Sequence, residues 1–288
     1  MRSFYSPMNG SVPWPREMHD CRRPVCKLGL AGVMMLAIGA QKTQSLTQEG
    51  RSGLAIVGSS AELSANHPMT VPLRLISEAR QIYAGIHDYT CLFVKKERIQ
   101  GRLQPENLVA MKIRTHPFSV YLRWLKPVEM AGQEACYVTG RNEGMMRVHS
   151  AGLLGVVGFV SIDPKDPRAL EHSRHSITEA GIGNLLERFG SRWEMEKQWN
   201  ATNVTTGEYT YNKRRCVRVE TVHPANPGQR YLFYRSVLYF DKEVHLPIRI
   251  ENYDWPHQGG DPRGDLAESY SYADLKLNVK LPDVVFTH

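Results

Sequence analysis

From Tyr89 onward apolar residues recur at every second position, in short runs separated by Gly, Pro, Asn and Asp. That period marks half-buried antiparallel strands. Tyr89, Cys91 and Phe93 share one face of a strand over Tyr89–Gln100. Val109, Met111 and Ile113 do the same over Asn107–Arg114, opposite Lys112 and Arg114. Phe118–Leu125 carries Phe118, Val120, Leu122 and Trp124 on one side. Gln133–Thr139 and Met145–Ser150 form a hairpin around Gly140-Arg-Asn-Glu-Gly144. After an interruption, strands resume at Glu208–Tyr211 and Arg215–His223. A three-strand meander closes the chain: Tyr231–Phe240, apolar on both faces; Ile248–Asp254, with Ile248 and Ile250 on one face; and Leu266–Leu277. The apolar tail Asp283–Phe286 follows.

The period lengthens to three and four residues in two places, which predicts amphipathic helices. The first is capped by Thr70, tolerates Pro72 in its first turn and presents Leu73, Ile76, Ala79, Ile82, Tyr83 and Ile86, ending near His87-Asp88. The second opens at Ser176 or Thr178 and buries Ile182, Leu185, Leu186, Phe189 and Trp193, with a kink expected at Gly190. The resulting order is α, five or six β, α, five β. Such a chain is α+β: an open antiparallel half-barrel of about ten or eleven strands wrapped around two helical segments.

The N-terminal stretch obeys neither period. Residues 1–27 carry Arg2, Arg16, Arg22, Arg23 and Lys27, and Leu28–Ala40 is an uncharged apolar run ending in small residues. A membrane span takes about 20 residues, so this shorter run reads as a signal peptide over 1–40. A Gln/Ser/Thr/Gly-rich linker over 41–69 follows, and 70–288 is the folded domain. These features place the protein in the periplasm or otherwise outside the cytoplasm, with no permanent membrane span after cleavage.

Net charge is +7, from 36 Lys and Arg against 29 Asp and Glu. The two signs are interspersed, with no basic run of nucleic-acid-binding character. Cys91, Cys136 and Cys216 fall on three different strands without metal-site spacing, so neither a metal nor any other cofactor is expected.

No catalytic motif stands out. The glycines of Ala151–Val160 are not followed by the Lys-Ser/Thr of a phosphate loop, and no Gly-x-Ser-x-Gly elbow is present. The run reads either as a buried crossover or as an apolar flap at a cavity mouth. His172-Ser-Arg-His175 is expected to be a solvated loop. Paired carboxylates at Asp163 and Asp166, or at Glu243 and Glu251, are the one opening for hydrolysis of an envelope polymer.

Four segments resemble the periplasmic lipoprotein-carrier superfamily of LolA and LolB: Phe118–Pro127, Gln133–Gly140, Val237–Ile250 and Leu266–Asn278 with Leu281-Pro-Asp and Phe286. With Ser176–Arg188 added, roughly 70–288 is similar to an uncharacterised exported bacterial domain family common in planctomycetes. The resemblance implies a sheet whose concave face shelters acyl chains. The residues expected to line that cavity are Met111, Ile113, Val120, Leu122, Trp124, Tyr137, Leu153, Leu154, Phe159, Phe233, Tyr239 and Ile250. The function it implies is a non-enzymatic carrier of lipid or of a lipoprotein's acyl chains. An envelope protein-interaction module with the same fold and no ligand is the alternative.

Overall fold

The computed structural model describes residues 67–152, 158–225 and 230–287. The segments read as signal peptide and linker, and Leu153 and Leu154, lie outside the described residues.

Helix α1 (Thr70–Ala84) buries Pro72, Ile76 and Ala79. Its N-cap is Met69 rather than Thr70, and the Met69 side chain makes no capping hydrogen bond. It stops at Gly85, whose N–H bonds to the Ile82 carbonyl at 3.1 Å. Seven strands follow: β1 (Asp88–Ile99), β2 (Arg102–Leu103), β3 (Asn107–Arg114), β4 (Ser119–Lys126), β5 (Glu134–Val138), β6 (Met146–His149) and β7 (Val160–Ile162). Next come the one-turn helix α2 (Pro167–Leu170) and the long α3 (Ile182–Trp199). The chain ends with β8 (Asn203–Tyr211), β9 (Arg214–Val222), β10 (Arg235–Asp241), β11 (Pro247–Tyr253) and β12 (Leu266–Leu277).

All strands join one 12-stranded antiparallel sheet in the order β7-β6-β5-β4-β3-β1-β12-β11-β10-β9-β8, with β2 folded back on β1. The architecture is the open α+β half-barrel expected. The two strands that alternation did not reveal, β2 and β7, are two and three residues long, too short to show a period. The seam of the sheet is β1 against β12, which pairs Tyr89 with Leu277 and Glu97 with Glu268. A bulge between Tyr239 and Phe240 skips a residue of β11. Ile248 and Ile250, expected on one face, therefore pack in different apolar clusters.

Helix α3 also departs from expectation. Ser176 caps a separate 3-10 turn, Ile177–Glu179, by accepting from the Thr178 N–H. The α-helix proper begins at Ile182, whose N–H donates to the buried Tyr89 hydroxyl at 2.8 Å, satisfying one of the unpaired amides of the first turn. It runs through Gly190 without interruption. A Cβ on Gly190 would run into the guanidinium end of Arg80, so this glycine marks the close approach of α1 and not a kink. Ile182, Leu185, Leu186, Phe189 and Trp193 meet Ile76 and Ala79 of α1 over Tyr89, Met111, Ile113, Leu238, Ile250, Tyr270 and Tyr272. Each such side chain contributes roughly 1.5–3 kcal/mol by burial.

The opposite face is covered locally. The C-terminal turn Asp283–Phe286 lays Phe286 on Tyr121, Cys136 and Val138, and Asp283 pairs with Arg114. The three cysteines of the domain, Cys91, Cys136 and Cys216, are buried.

Candidate functional site

The helix side of the sheet has three zones, set by which strand positions face it. Under α1 and α3 lies the apolar core. Met111, Ile113, Val120 and Ile250, four of the residues expected to line a cavity, are at most 1% exposed there. The space above them is filled by the protein's own helices.

Towards β4–β6 the helices leave an apolar strip. Trp124, Val109 and Ala135 form its buried floor, and Phe93, Leu122, Met130, Val148 and Ile177 pack on it half-buried. Tyr137 lies beside Phe118, ring centroids 6.4 Å apart. Trp124 Nε1 donates to Asn107 Oδ1 at 3.0 Å, which fixes the indole edge. Of the expected lining residues, Leu122, Trp124 and Tyr137 come together here. Phe159 sits on the entry to β7, its ring 5.3 Å from that of His149. Tyr239 does not join them: it follows Leu238 on the strand, so it points to the opposite face, where it packs with Cys216, Val237 and Ile248. Phe233 precedes β10, half-buried, and its carbonyl meets His223 Nδ1 at 2.5 Å.

Where the strip meets the β1–β12 seam, the helix-side face turns polar and stays buried. Continuing the alternation of Tyr89, Cys91 and Phe93 along β1 places Lys95 and Glu97 inside; β12 brings Tyr270 and Glu268, and β11 brings Asn252. The carboxylates of Glu97 and Glu268, 3% and 1% exposed, face each other across the seam. The Tyr270 hydroxyl lies 2.6 Å from Glu97 Oε1 and 3.3 Å from Glu268 Oε2, so its single proton belongs to Glu97. Lys95 Nζ donates to Glu97 Oε2 at 3.1 Å. Glu268 accepts from Asn252 Nδ2 at 2.7 Å and from Arg174 Nε at 3.1 Å, and His175 Nε2 lies 2.8 Å from it.

The loop expected to be solvated, His172–His175, is thus the lid of this cluster. Lys95 also holds the His172 carbonyl and the Ser173 hydroxyl, each at 3.3 Å, and Arg174 Nη1 donates to the Arg98 carbonyl at 2.9 Å. The physical reason is charge: of the two buried carboxylates, Glu97 has Lys95 on its own strand, and Glu268 draws the Arg174 guanidinium and the His175 ring from the loop. Burial alone would push the Glu268 carboxyl up. The hydrogen bond and charge of His175, the Asn252 amide and the Arg188 charge outweigh it and hold it down at about 2. Tyr270 is pushed well above the usual phenol range by burial and by Glu268 and Glu97.

Every carboxylate oxygen in the cluster already accepts a hydrogen bond. The pair therefore acts as a fastening between lid and sheet. The carboxylate pairs suggested by sequence are elsewhere. Asp166 caps α2, Glu243 pairs with Arg214 at the surface, and Glu251 is bound by Arg249 at 2.6 Å. The signal that could have found Glu97 is the β1 alternation carried two steps past Phe93.

A shallow groove of about 340 Å³ lies apart from these zones, between α1 and the β10–β11 turn, lined by Leu75, Val217, Phe240 and the charged side chains around them. Among the described residues, no helix is long and apolar enough to cross a membrane.

No curated protein matches the chain. Among solved structures, a LolA superfamily protein from Nitrosomonas europaea is similar at 11% identity, over 75% of this chain and 96% of that one, with a TM-score of 0.30. The lipoprotein LppX of Mycobacterium tuberculosis is similar at 12% identity, over 74% and 97%, with a TM-score of 0.41. A DUF1329 family protein from Desulfovibrio piger is similar at 14% identity, over 77% and 98%, with a TM-score of 0.39. The family model described as "Protein of unknown function (DUF1571)" matches residues 86–288, from the start of the sheet to the last residue, and the chain belongs to that family.

Proposed function

We propose that this protein is an exported, non-enzymatic binding protein that holds an apolar ligand, a lipid or the acyl chains of a lipoprotein, in the cell envelope. The observation that carries the reading is the apolar strip over β4–β6. Phe93, Leu122, Met130, Val148 and Ile177 remain half-exposed on a face whose other part is closed by α1 and α3. A ligand lying there gains about 0.8 kcal/mol for each methylene it buries. Leu153, Leu154 and Phe159 belong to the sequence run between β6 and β7, whose flanking strands border this strip. The lid held by Glu97 and Glu268 bounds it on the seam side.

One observation favours a second reading, an interaction module of the envelope with no small ligand. Met111, Ile113, Val120 and Ile250 are sealed beneath the helices. The strip would then be a docking face for a partner protein's apolar side chains.

The test is to express the full chain in an exporting host, extract the purified protein with organic solvent and look for lipid by mass spectrometry. A stoichiometric acyl-chain species, lost in the Leu122→Asp and Tyr137→Asp variants, supports the carrier. An extract without lipid, from folded wild-type protein that also fails to take up added fatty acid or phospholipid, sinks it and leaves the interaction module.

A further inference from the structure

The two edges of the sheet are unequal. One ends in β7, three residues long. The other ends in β8, nine residues long and exposed along nearly its whole length, with no partner strand beyond it among the described residues. Its ladder with β9 is regular from Asn203 against Val222 to Tyr211 against Arg214, without a bulge. An exposed edge is ordinarily blunted by Pro, by Lys, by a bulge or by extreme shortness. Asn203-Val-Thr-Thr-Gly-Glu-Tyr-Thr-Tyr211 has no Pro, Lys or bulge, its one charge, Glu208, is neutralised by Arg215 and Lys242, and it is rich in β-branched and aromatic residues that favour pairing.

We propose that β8 is a docking edge for a second copy of this chain, joining two sheets through antiparallel β8–β8 pairing about a two-fold axis. The sequence of the strand selects both occupant and register. In a symmetric antiparallel pair the residue on the axis faces itself, and full overlap of Asn203–Tyr211 places the midpoint, Gly207, there. Gly207 has no side chain to obstruct the partner, and nothing lies within 4 Å of where its Cβ would be. The same register sets Thr206 opposite Glu208 of the second copy, Thr205 opposite Tyr209, and Val204 opposite Thr210. These include β-branched–aromatic pairs of the kind that stabilise sheets. Glu208, the one charge on the strand, avoids its own symmetry mate. Within its own chain it is already held by Lys242 and by Arg215.

Thr206 is the position to alter, because it is exposed and faces the only charge across the axis. Thr206→Lys creates two symmetry-related Lys–Glu pairs and Thr206→Glu creates two Glu–Glu pairs. The expected outcome, read by light scattering and sedimentation of the full chain over a wide concentration range, is a concentration-dependent dimer. Thr206→Lys should tighten it and Thr206→Glu weaken it, each by about two- to thirty-fold. A variant that merely disturbed folding would not produce opposite effects from opposite charges at one site. A monomer at every concentration overturns the proposal, and so does a dimer indifferent to both substitutions. Protection from hydrogen exchange, in a monomer, of the alternate β8 amides that point away from β9 also overturns it, since the edge is then covered by the chain itself. None of these readouts involves the apolar strip, so a failed dimer leaves the ligand reading standing and the converse holds too.

Discussion

The lid-to-seam fastening makes a quantitative prediction about acid stability through Glu268. Its carboxyl is held at about 2 against an ordinary value of 4.5. Between those values the unfolded chain binds a proton that the folded chain does not, so stability rises with pH across the interval. The contribution is fully present above pH 4.5 and is lost as pH falls towards 2. At about 1.4 kcal/mol per pH unit the gap is worth on the order of 3 kcal/mol. Glu268→Gln keeps the shape of the side chain and removes the titration. The assay is urea unfolding followed by tryptophan fluorescence at a series of pH values from 7 to 3, with protein concentration held fixed because association shifts apparent stability. The wild type should lose stability more steeply than E268Q below pH 4.5, by up to about 1.4 kcal/mol per pH unit. At neutral pH the variant should be weaker by roughly 3 kcal/mol, because Arg174 and His175 lose their anion. Parallel stability–pH curves for the two proteins would refute the assignment of Glu268 as the acid-sensitive tie.

The two glycines of α3 that face α1 should respond differently to alanine. A Cβ on Gly183 would stand 2.5 Å from the Tyr83 ring, whereas on Gly190 it meets the end of the Arg80 side chain, which can swing aside. Alanine returns about 1 kcal/mol of helix propensity at either site. Gly183→Ala should therefore cost about 1–3 kcal/mol net and Gly190→Ala less than about 1 kcal/mol, measured by thermal or urea unfolding; equal effects would contradict the packing described. Burial pushes the Cys91 thiol well above its ordinary value. Alkylation followed by peptide mass spectrometry should find Cys91 unmodified in the native protein at pH 8 and modified in urea, and native labelling would mean that the core under the helices opens readily.

Much of the sheet was readable from period two because its long strands have one clearly apolar face. The β3 sequence Asn-Leu-Val-Ala-Met-Lys-Ile-Arg alternates in burial as it does in polarity. What escaped had no period to show or broke it for a tertiary reason. Strands β2 and β7 are too short, and the β10–β11 bulge separates Ile248 from Ile250. Gly190 weakens a helix locally yet lies under Arg80, a neighbour that arrives from more than a hundred residues away. The strip was partly legible, since Leu122, Trp124 and Tyr137 follow from strand parity. Met111, Ile113, Val120 and Ile250 share that parity and lie sealed below the helices, because parity gives the face a residue points to and not what lies above it. His172 and Arg174 are exposed, as expected of a solvated loop, and what escaped was the cluster beneath them. His172–His175 is polar and looks solvated in isolation, and only the pairing of β1 with β12 reveals the buried carboxylates that draw it in.

The neighbour of β1 in the middle of the sheet is the last strand of the chain, β12. During synthesis the first half can assemble β1 and β3–β7 while one edge of β1 stays open, with Lys95 and Glu97 lacking their partners across the seam. The sheet becomes continuous only when Leu266–Leu277 arrives, long after β1 has been made. Closing contacts of such long sequence separation is slow. Losing Leu266–Leu277 would therefore not trim a margin of the sheet. It would split the sheet down its centre, leaving two half-sheets with facing raw edges and a lid with only half of its anchor.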